Sequence, residues 1–381
     1  MIVGKRFLPL LAAVVVLQLL FRFGIPFVWG GIPRFWHFEN QLDIAQQISV
    51  NAILAFGMTL TILIGGIDLS VGALLALVGT TTVYLLGATG LAGWELPAFA
   101  LAAGFGTEVV LRLASGARSR SLGRTVATVA VRASLLAAVA FACGRGDLGG
   151  AGRFVFALWT GLAVAALFGG FNGLCAAGTR MPPFIITLAT MWVARGAALR
   201  FNEGRPMHIP EEQTVFLALG NGRLADTVPI PVLVMVLLFI ITAVLLHRTR
   251  FGQHLYAIGG NREAARYTGI PLAQREVAVY VLCSLLTGVA GMIHASQLYS
   301  AEPASGVGFE LNAIAAAVVG GTSFTGGIGT MAGTLIGAVI IGILDKGLNQ
   351  AGVHYSFQYM VKGLVILAAV YLDVRRQAKR T

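Results

Sequence analysis

Charge is missing from this chain over stretches long enough to cross a bilayer, and that constrains its fold more than anything else in the sequence. Leu311 to Leu344 is 34 residues without a charged side chain, Phe154 to Thr179 and Val277 to Ala301 carry none, and Ile44 to Trp94 carries only Asp68. A transmembrane helix needs about 20 mostly apolar residues. Over the whole chain 57% of residues are hydrophobic and 11% charged, against about 25% charged in a soluble domain. That excludes a disordered chain and a soluble globular enzyme, whose surface so few charges would not cover.

The apolar runs predict spans near 7–22, 44–64, 70–90, 94–111, 124–143, 154–176, 181–199, 229–246, 277–299, 309–325, 330–345 and 357–372. The expected fold is therefore an all-α polytopic membrane protein of about 12 spans, residues 1–381 forming one transmembrane domain. The run from Leu311 is too long for one span. Its centre, GGTSFTGGIG (Gly320 to Gly329), is rich in helix breakers, so it reads as two segments joined by a turn. Among the expected spans, 94–111 contains Glu108, 124–143 contains Arg132 and 181–199 contains Arg195. Lys5 and Arg6 precede the first apolar run, but no small-residue cleavage site follows it, so it reads as a retained span rather than a removed leader.

The net charge of +11 comes from basic residues in short loops between apolar runs. That is the positive-inside pattern and not a nucleic-acid footprint. Lys5 and Arg6, the 112–124 loop, the 247–275 loop and the tail (Arg375, Arg376, Lys379, Arg380) fall on one side if there are twelve spans. That side is the cytoplasm, with both termini in it. Removing the spans 94–111 and 124–143 together preserves this agreement, whereas removing one of them breaks it. Glycine is abundant, 49 residues, and forms ladders: Gly329, Gly333 and Gly337, and Ala165, Gly169, Gly173 and Ala177. Spacing by four puts small residues on one helix face, where two backbones can approach. Cys143, Cys175 and Cys283 are far apart and read as small apolar residues.

The longest polar stretch of interest is HRTRFGQHLYAIGGNREAARYTGI, His247 to Ile270. Asn261 is placed to cap a helix by accepting from the Ala264 N–H, and Gly269 suits the left-handed position after its last turn. A helix of about seven residues is unstable alone, so it must dock, either on this chain or in the groove of a partner. A second stretch is GGIDLSVG, Gly65 to Gly72. Asp68 is a functional candidate as an isolated intramembrane charge, but Asp68 or Ser70 capping the next helix is the favoured reading. Asn51, Thr59, Asn172, Thr187, Asn312 and Ser323 lie inside spans. Each either lines a pathway or bonds to a neighbouring helix. NAILAFGMTLTILIGG (from Asn51) and NAIAAAVVGG (from Asn312) share an opening and a Gly-Gly break, as repeats in transporters do. Their unequal spacing leaves chance open. No G-x-x-x-x-G-K-[ST] phosphate loop, G-x-S-x-G or paired-carboxylate motif occurs. The chain itself is expected to perform no catalysis and to hold no cofactor or metal.

Five collinear segments resemble the permease subunit of ribose- and xylose-type sugar ABC importers: NAILAFGMTLTILIGGIDLSVGALLAL (51–77), FNGLCAAGTRMPPFIITLATMWVARG (171–196), FGQHLYAIGGNREAARYTGI (251–270), the segment 308–349 and FQYMVKGLVILAAVYLD (357–373). They cover about three quarters of the chain. The resemblance implies a channel in the bacterial inner membrane. It would be a homodimer, or a pseudo-dimer with a second permease, fed by a periplasmic sugar-binding protein. A separate ATPase subunit, which holds the ATP and Mg, would drive it. The 247–275 loop would be the coupling loop, with Asn261, Arg262, Glu263, Ala264, Arg266 and Gly269 meeting the ATPase. Asn51, Asp68, Ser70, Asn172, Asn312 and Ser323 are the candidates for the pathway or a gate.

The chain also departs from the family. Its permeases have about ten spans, so residues 102–152 read as an insertion adding two. Asn312 stands where the family often has a carboxylate, and Asp345-Lys346 stands where paired asparagines are usual. The alternatives are an ion-coupled secondary transporter, which would rely on Asp68 and Glu108, and an ABC permease for a non-sugar small polar solute. An intramembrane enzyme, built on His294, Cys283 and Asp68, ranks last.

Overall fold

The computed structural model describes residues 2–24, 37–87, 104, 106, 108, 150–179 and 181–378. In chain order its helices are α1 (Ile2–Leu19), α2 (Phe38–Leu63), α3 (Val71–Gly87), α4 (Gly150–Gly178), α5 (Pro183–Arg200), α6 (Thr214–Asn221), α7 (Ile230–Arg248), α8 (Arg250–Gly260), α9 (Arg262–Tyr267), α10 (Leu272–Gln297), α11 (Phe309–Val319), α12 (Met331–Gln350) and α13 (Tyr355–Ala378). Six of them, α2, α4, α5, α7, α10 and α12, are long and apolar enough to cross a membrane. The expected spans at 94–111 and 124–143, and with them most of the 102–152 insertion, lie outside the described residues apart from a few positions.

The chain divides into two compact units. The first comprises Met1–Gly66, Leu224–Ile270 and Leu311–Thr381. At its centre is α2, whose residues from Ala52 to Leu63 are all buried. It packs against α12 and α7, while α1 and α13 pack on α12. The second unit comprises Ile67–Arg223 and Pro271–Glu310. There α10 is the hub, lying against α4, α3 and α6, and α5 packs on α3. Outside the helices, Met207 and His208 pair antiparallel with Ala301 and Ser300.

The helices differ in what covers them. α7 is apolar up to its last turn, where His247 and Arg248 stand, but buries only Pro231, Met235, Thr242 and Leu246. Leu233, Val236, Leu237, Ile240, Ile241 and Val244 are exposed. A helix apolar all round that leaves such side chains uncovered is built for lipid.

Both expected ladders are used as close contacts. In the first unit a Cβ on Gly337 would overlap the Ala316 carbonyl oxygen, and one on Gly333 the Gly320 carbonyl. In the second, Gly169 lies against Ser284 and the Tyr280 carbonyl, Gly173 lies against the Val277 backbone, and Gly291 of α10 lies against the Leu75 carbonyl. In lipid, helices associate by packing and not by apolar burial, so this fit supplies the attraction.

One expected span is shorter than the sequence reading made it. The 309–325 segment is helical only to Val319. Its 11 residues rise about 16 Å, roughly half of the hydrocarbon thickness. The reason is a Schellman cap: Gly321 takes φ +91°, its N–H donates to Val318 O at 2.8 Å, and Thr322 N–H donates to Ala317 O at 3.0 Å. α2 ends in the same way. Gly65 has φ +79°, Gly65 N–H donates to Ile62 O and Gly66 N–H to Thr61 O, both at 2.9 Å. The two Gly-Gly breaks suggested as a repeat thus share one termination chemistry despite their unequal spacing.

Candidate functional site: a buried polar relay and a capped loop helix

Asp68 precedes α3 and is fully buried, as are Ser70 and Asn172. Asp68 Oδ1 accepts from the Ser70 N–H at 2.9 Å and from the Ser70 hydroxyl at 2.5 Å. Ser70 Oγ in turn accepts from Asn172 Nδ2 at 3.1 Å, and Asn172 Oδ1 accepts from the Thr190 hydroxyl at 2.6 Å. The relay therefore runs from the loop before α3 through α4 to α5. Thr187, one position short of a turn before Thr190 on α5, fastens the same loop: its hydroxyl contacts Ile67 O and accepts from the Leu69 N–H, each at 3.1 Å. The Cys283 thiol of α10 lies beside the carboxylate.

This arrangement refines the capping reading. Asp68 does not bond the first free N–H groups of α3. It closes a two-residue Asx turn that presents Ser70, whose carbonyl accepts the first helical bond from Leu74 N–H at 2.8 Å. The carboxylate also sits at the helix N-terminus, where a negative charge is favoured. A buried carboxylate without such bonds would cost several kcal/mol.

Around the same helix end, Gly72 leaves no room for a side chain because Glu310 and the Gly306 carbonyl press on it. Arg195, the charge noted inside its span, donates from Nη1 to Pro303 O at 2.7 Å and Ser305 O at 2.6 Å. It thus holds the 302–310 loop against α5. The sequence reading named Thr187 but missed Thr190 and the loop-clamping role of Arg195. Thr190 is three residues from Thr187 and was legible only as helix spacing.

The other candidates belong to the first unit. Asn51 and Asn312 are half-buried on α2 and α11. Ser323 lies in the turn between α11 and α12, where its N–H donates to Ile328 O at 2.8 Å and its hydroxyl pairs with that of Thr325 at 3.0 Å. The candidates therefore comprise the relay of Asp68, Ser70 and Asn172 in the second unit and three individual positions, Asn51, Asn312 and Ser323, in the first.

The polar loop folds as its sequence indicated. Asn261 Oδ1 accepts from the Ala264 N–H at 2.9 Å. α9 runs for six residues and stops where Gly269 takes φ +80° and Ile270 N–H reaches back to Ala265 O at 3.2 Å. Of α9 only Ala265 is buried, and Tyr267 is 84% exposed. The helix is held from behind by α8, which buries Gly252, Leu255 and Ile258. In α8 the Tyr256 hydroxyl donates to Gly329 O at 2.7 Å, and burial pushes its pKa up to about 12. Tyr256 carried no signal in the sequence reading. A residue tied to a backbone carbonyl 73 positions away leaves no local pattern.

Residues 40–370 match the profile of the branched-chain amino acid transport system / permease component family. The chain belongs to this permease family. It is 38% identical over 347 residues to the ribose import permease protein of Escherichia coli (strain K12), covering 91% of this chain and 88% of that one. It is equally 38% identical to the ribose import permease protein of Bacillus subtilis (strain 168), over 91% and 88%. Against the L-arabinose transport system permease protein of Escherichia coli (strain K12) it is 31% identical, over 92% and 87%. No solved structure matches the chain. The described helices and this kinship together make it a multi-pass helical membrane protein.

Proposed function

We propose that this chain is the permease subunit of an ABC importer that moves a monosaccharide of the ribose, xylose or galactose kind across the bacterial inner membrane. The observation that carries the reading is the near full-length similarity to ribose import permeases, with an arabinose permease and the D-allose transport system permease protein of Escherichia coli (strain K12) beside them. A separate ATPase, which holds the ATP and Mg, supplies the energy, and a periplasmic binding protein delivers the sugar. Two permeases, identical or paired with a second kind, form the path. Twelve spans with both termini cytoplasmic satisfy the loop charges.

The coupling surface is α9. A helix of six residues that exposes Arg262, Glu263, Arg266 and Tyr267 while burying Ala265 offers its polar face outward. Such a face suits the groove of a partner, with charged pairs at its rim setting register. Asn51 and Asn312 are the proposed lining of the path. Asp68, Ser70 and Asn172 act by holding a helix break, where transporters of several kinds place their sites. The alternative of a non-sugar solute remains for the same machinery, since the binding protein selects the cargo. Ion-coupled transport is the competing mechanism.

The test is purification of the tagged chain from membranes of its host in mild detergent. Recovery with a P-loop ATPase that the sugar-loaded binding protein stimulates supports the importer. Replacing Glu263 and Arg266 together is then expected to abolish stimulated hydrolysis and uptake without altering the fold. A chain that comes out alone, with uptake abolished by collapsing the ion gradient, overturns it.

A further inference from the structure

Within the first unit, α8 meets two helix breaks at one point. Gly327 N–H donates to Leu63 O, the end of α2, at 2.9 Å. Gly259 of α8 is pressed onto this junction so closely that a Cβ would overlap both Leu63 O and Gly327 N. One turn earlier on α8, Tyr256 bonds Gly329 O. The turn from Gly320 to Thr330 is thus bracketed from the α8 side by one backbone contact and one side-chain bond. Its own ties are short-range: Ser323 N–H to Ile328 O and Gly326 N–H to Ser323 O. Gly326 and Gly327 both take positive φ, at +85° and +70°, so this turn has a backbone that can change shape at little steric cost.

On its other side α8 is continuous with α9. Asn261 N–H donates to Ala257 O, and Asn261 O accepts from Ala265 N–H, each at 3.0 Å. One residue caps the end of α8 and the start of α9. The two short helices are therefore joined through one residue, with α9 exposed at one end and the α11–α12 turn contacted at the other.

We propose that Tyr256 and Gly259 are positioning residues that carry motion of α9 into the Gly320–Thr330 turn and the end of α2. This rests on the importer reading above, in which an ATPase moves α9. The phenol makes the connection directional, because it pulls on Gly329 O as well as packing against the turn. Removing the hydroxyl alone breaks the pull and keeps the packing.

The experiment compares the wild-type complex with Tyr256→Phe, purified with its ATPase and reconstituted in liposomes. Assembly, thermal melting and maximal ATPase rate are measured alongside solute moved per ATP. Tyr256→Phe is expected to assemble, melt and hydrolyse as wild type while its transport-to-hydrolysis ratio falls about 2- to 10-fold, the range that one hydrogen bond is worth. A purely structural role predicts a lowered melting temperature with an unchanged ratio, and that result overturns the inference. Gly259→Ala, which forces α8 off the junction, is expected to lower the ratio further. If it fails to assemble, Tyr256→Phe alone decides. Absence of any ATPase from the wild-type preparation overturns the importer reading and this inference together, whereas a wild-type ratio in Tyr256→Phe overturns the inference alone.

Discussion

Asn172 and Ser70, 102 positions apart in the chain, are joined by a hydrogen bond of 3.1 Å between fully buried side chains. The bond ties the C-terminal part of the protein's longest described helix to the residue that starts another. Ser70 donates its one hydroxyl proton to Asp68, so it is left to accept, and Asn172 is the donor that completes it. The direction of the relay follows from that proton count.

The relay separates two roles for Asp68. If the carboxylate acts through Oδ1 as the acceptor of the Asx turn, Asp68→Asn keeps that acceptor. Uptake should then stay within about 3-fold of wild type, while Asp68→Ala, which removes it, should lose about 1–3 kcal/mol of stability and most uptake. Sugar uptake in vesicles with a melting curve for each variant checks this. Loss of uptake in Asp68→Asn with an unchanged melting curve would show instead that the charge itself is needed.

Lys362 and Asp345 form an ion pair of 3.0 Å across α12 and α13, with side chains only 20% and 25% exposed. Removing one partner from this half-buried pair strands the other charge, at a cost below the about 3–5 kcal/mol of a fully buried pair. Lys362→Met should therefore destabilise, and adding Asp345→Asn should restore most of the loss. Unfolding of the single and double variants in mixed micelles measures the difference.

Gly337 and Gly363 are both glycines within helices but have opposite surroundings. A side chain at Gly337 meets the Ala316 carbonyl, whereas one at Gly363 meets nothing. Gly337→Ala should prevent normal packing, seen as low yield and aggregation on size exclusion in detergent. Gly363→Ala should be neutral or stabilising by up to about 1 kcal/mol, the helix-propensity difference.

The Tyr256 phenol has its pKa raised by burial to about 12, against an ordinary value of 10. The protonated form is the one favoured by the fold, so its bond to Gly329 is intact below pH 10 and is lost as the pH rises through about 12. In an alkaline absorbance titration of the folded protein, whose sequence has eight tyrosines, Tyr256→Phe should remove amplitude near pH 12 and leave the phase near pH 10 unchanged. Loss from the phase near pH 10 would contradict the burial.

The membrane class, the ladders, the capped loop helix and the helix-breaking centre of 311–344 were legible from residues because each is a local property. Charge-free length sets the solvent, spacing by four sets a face, and Asn261 with Gly269 sets two ends. The end of α11 at Val319 was placed six residues too far because the apolar run continues past the point where Gly321 turns the backbone. The Lys362–Asp345 pair left no local signal, because the two residues lie on different helices.

The sequence by itself determined that this chain is a helical membrane protein with a short, docked polar helix, because hydropathy, glycine spacing and capping chemistry act within a few turns. Only the tertiary structure decided that Asp68, Ser70, Asn172 and Thr190 form one relay. It alone brought Tyr256 to Gly329 and Leu63 to Gly327. Hydrogen bonds across such separations depend on how close two backbones come, and in these helices that distance is set by where glycine meets a facing carbonyl.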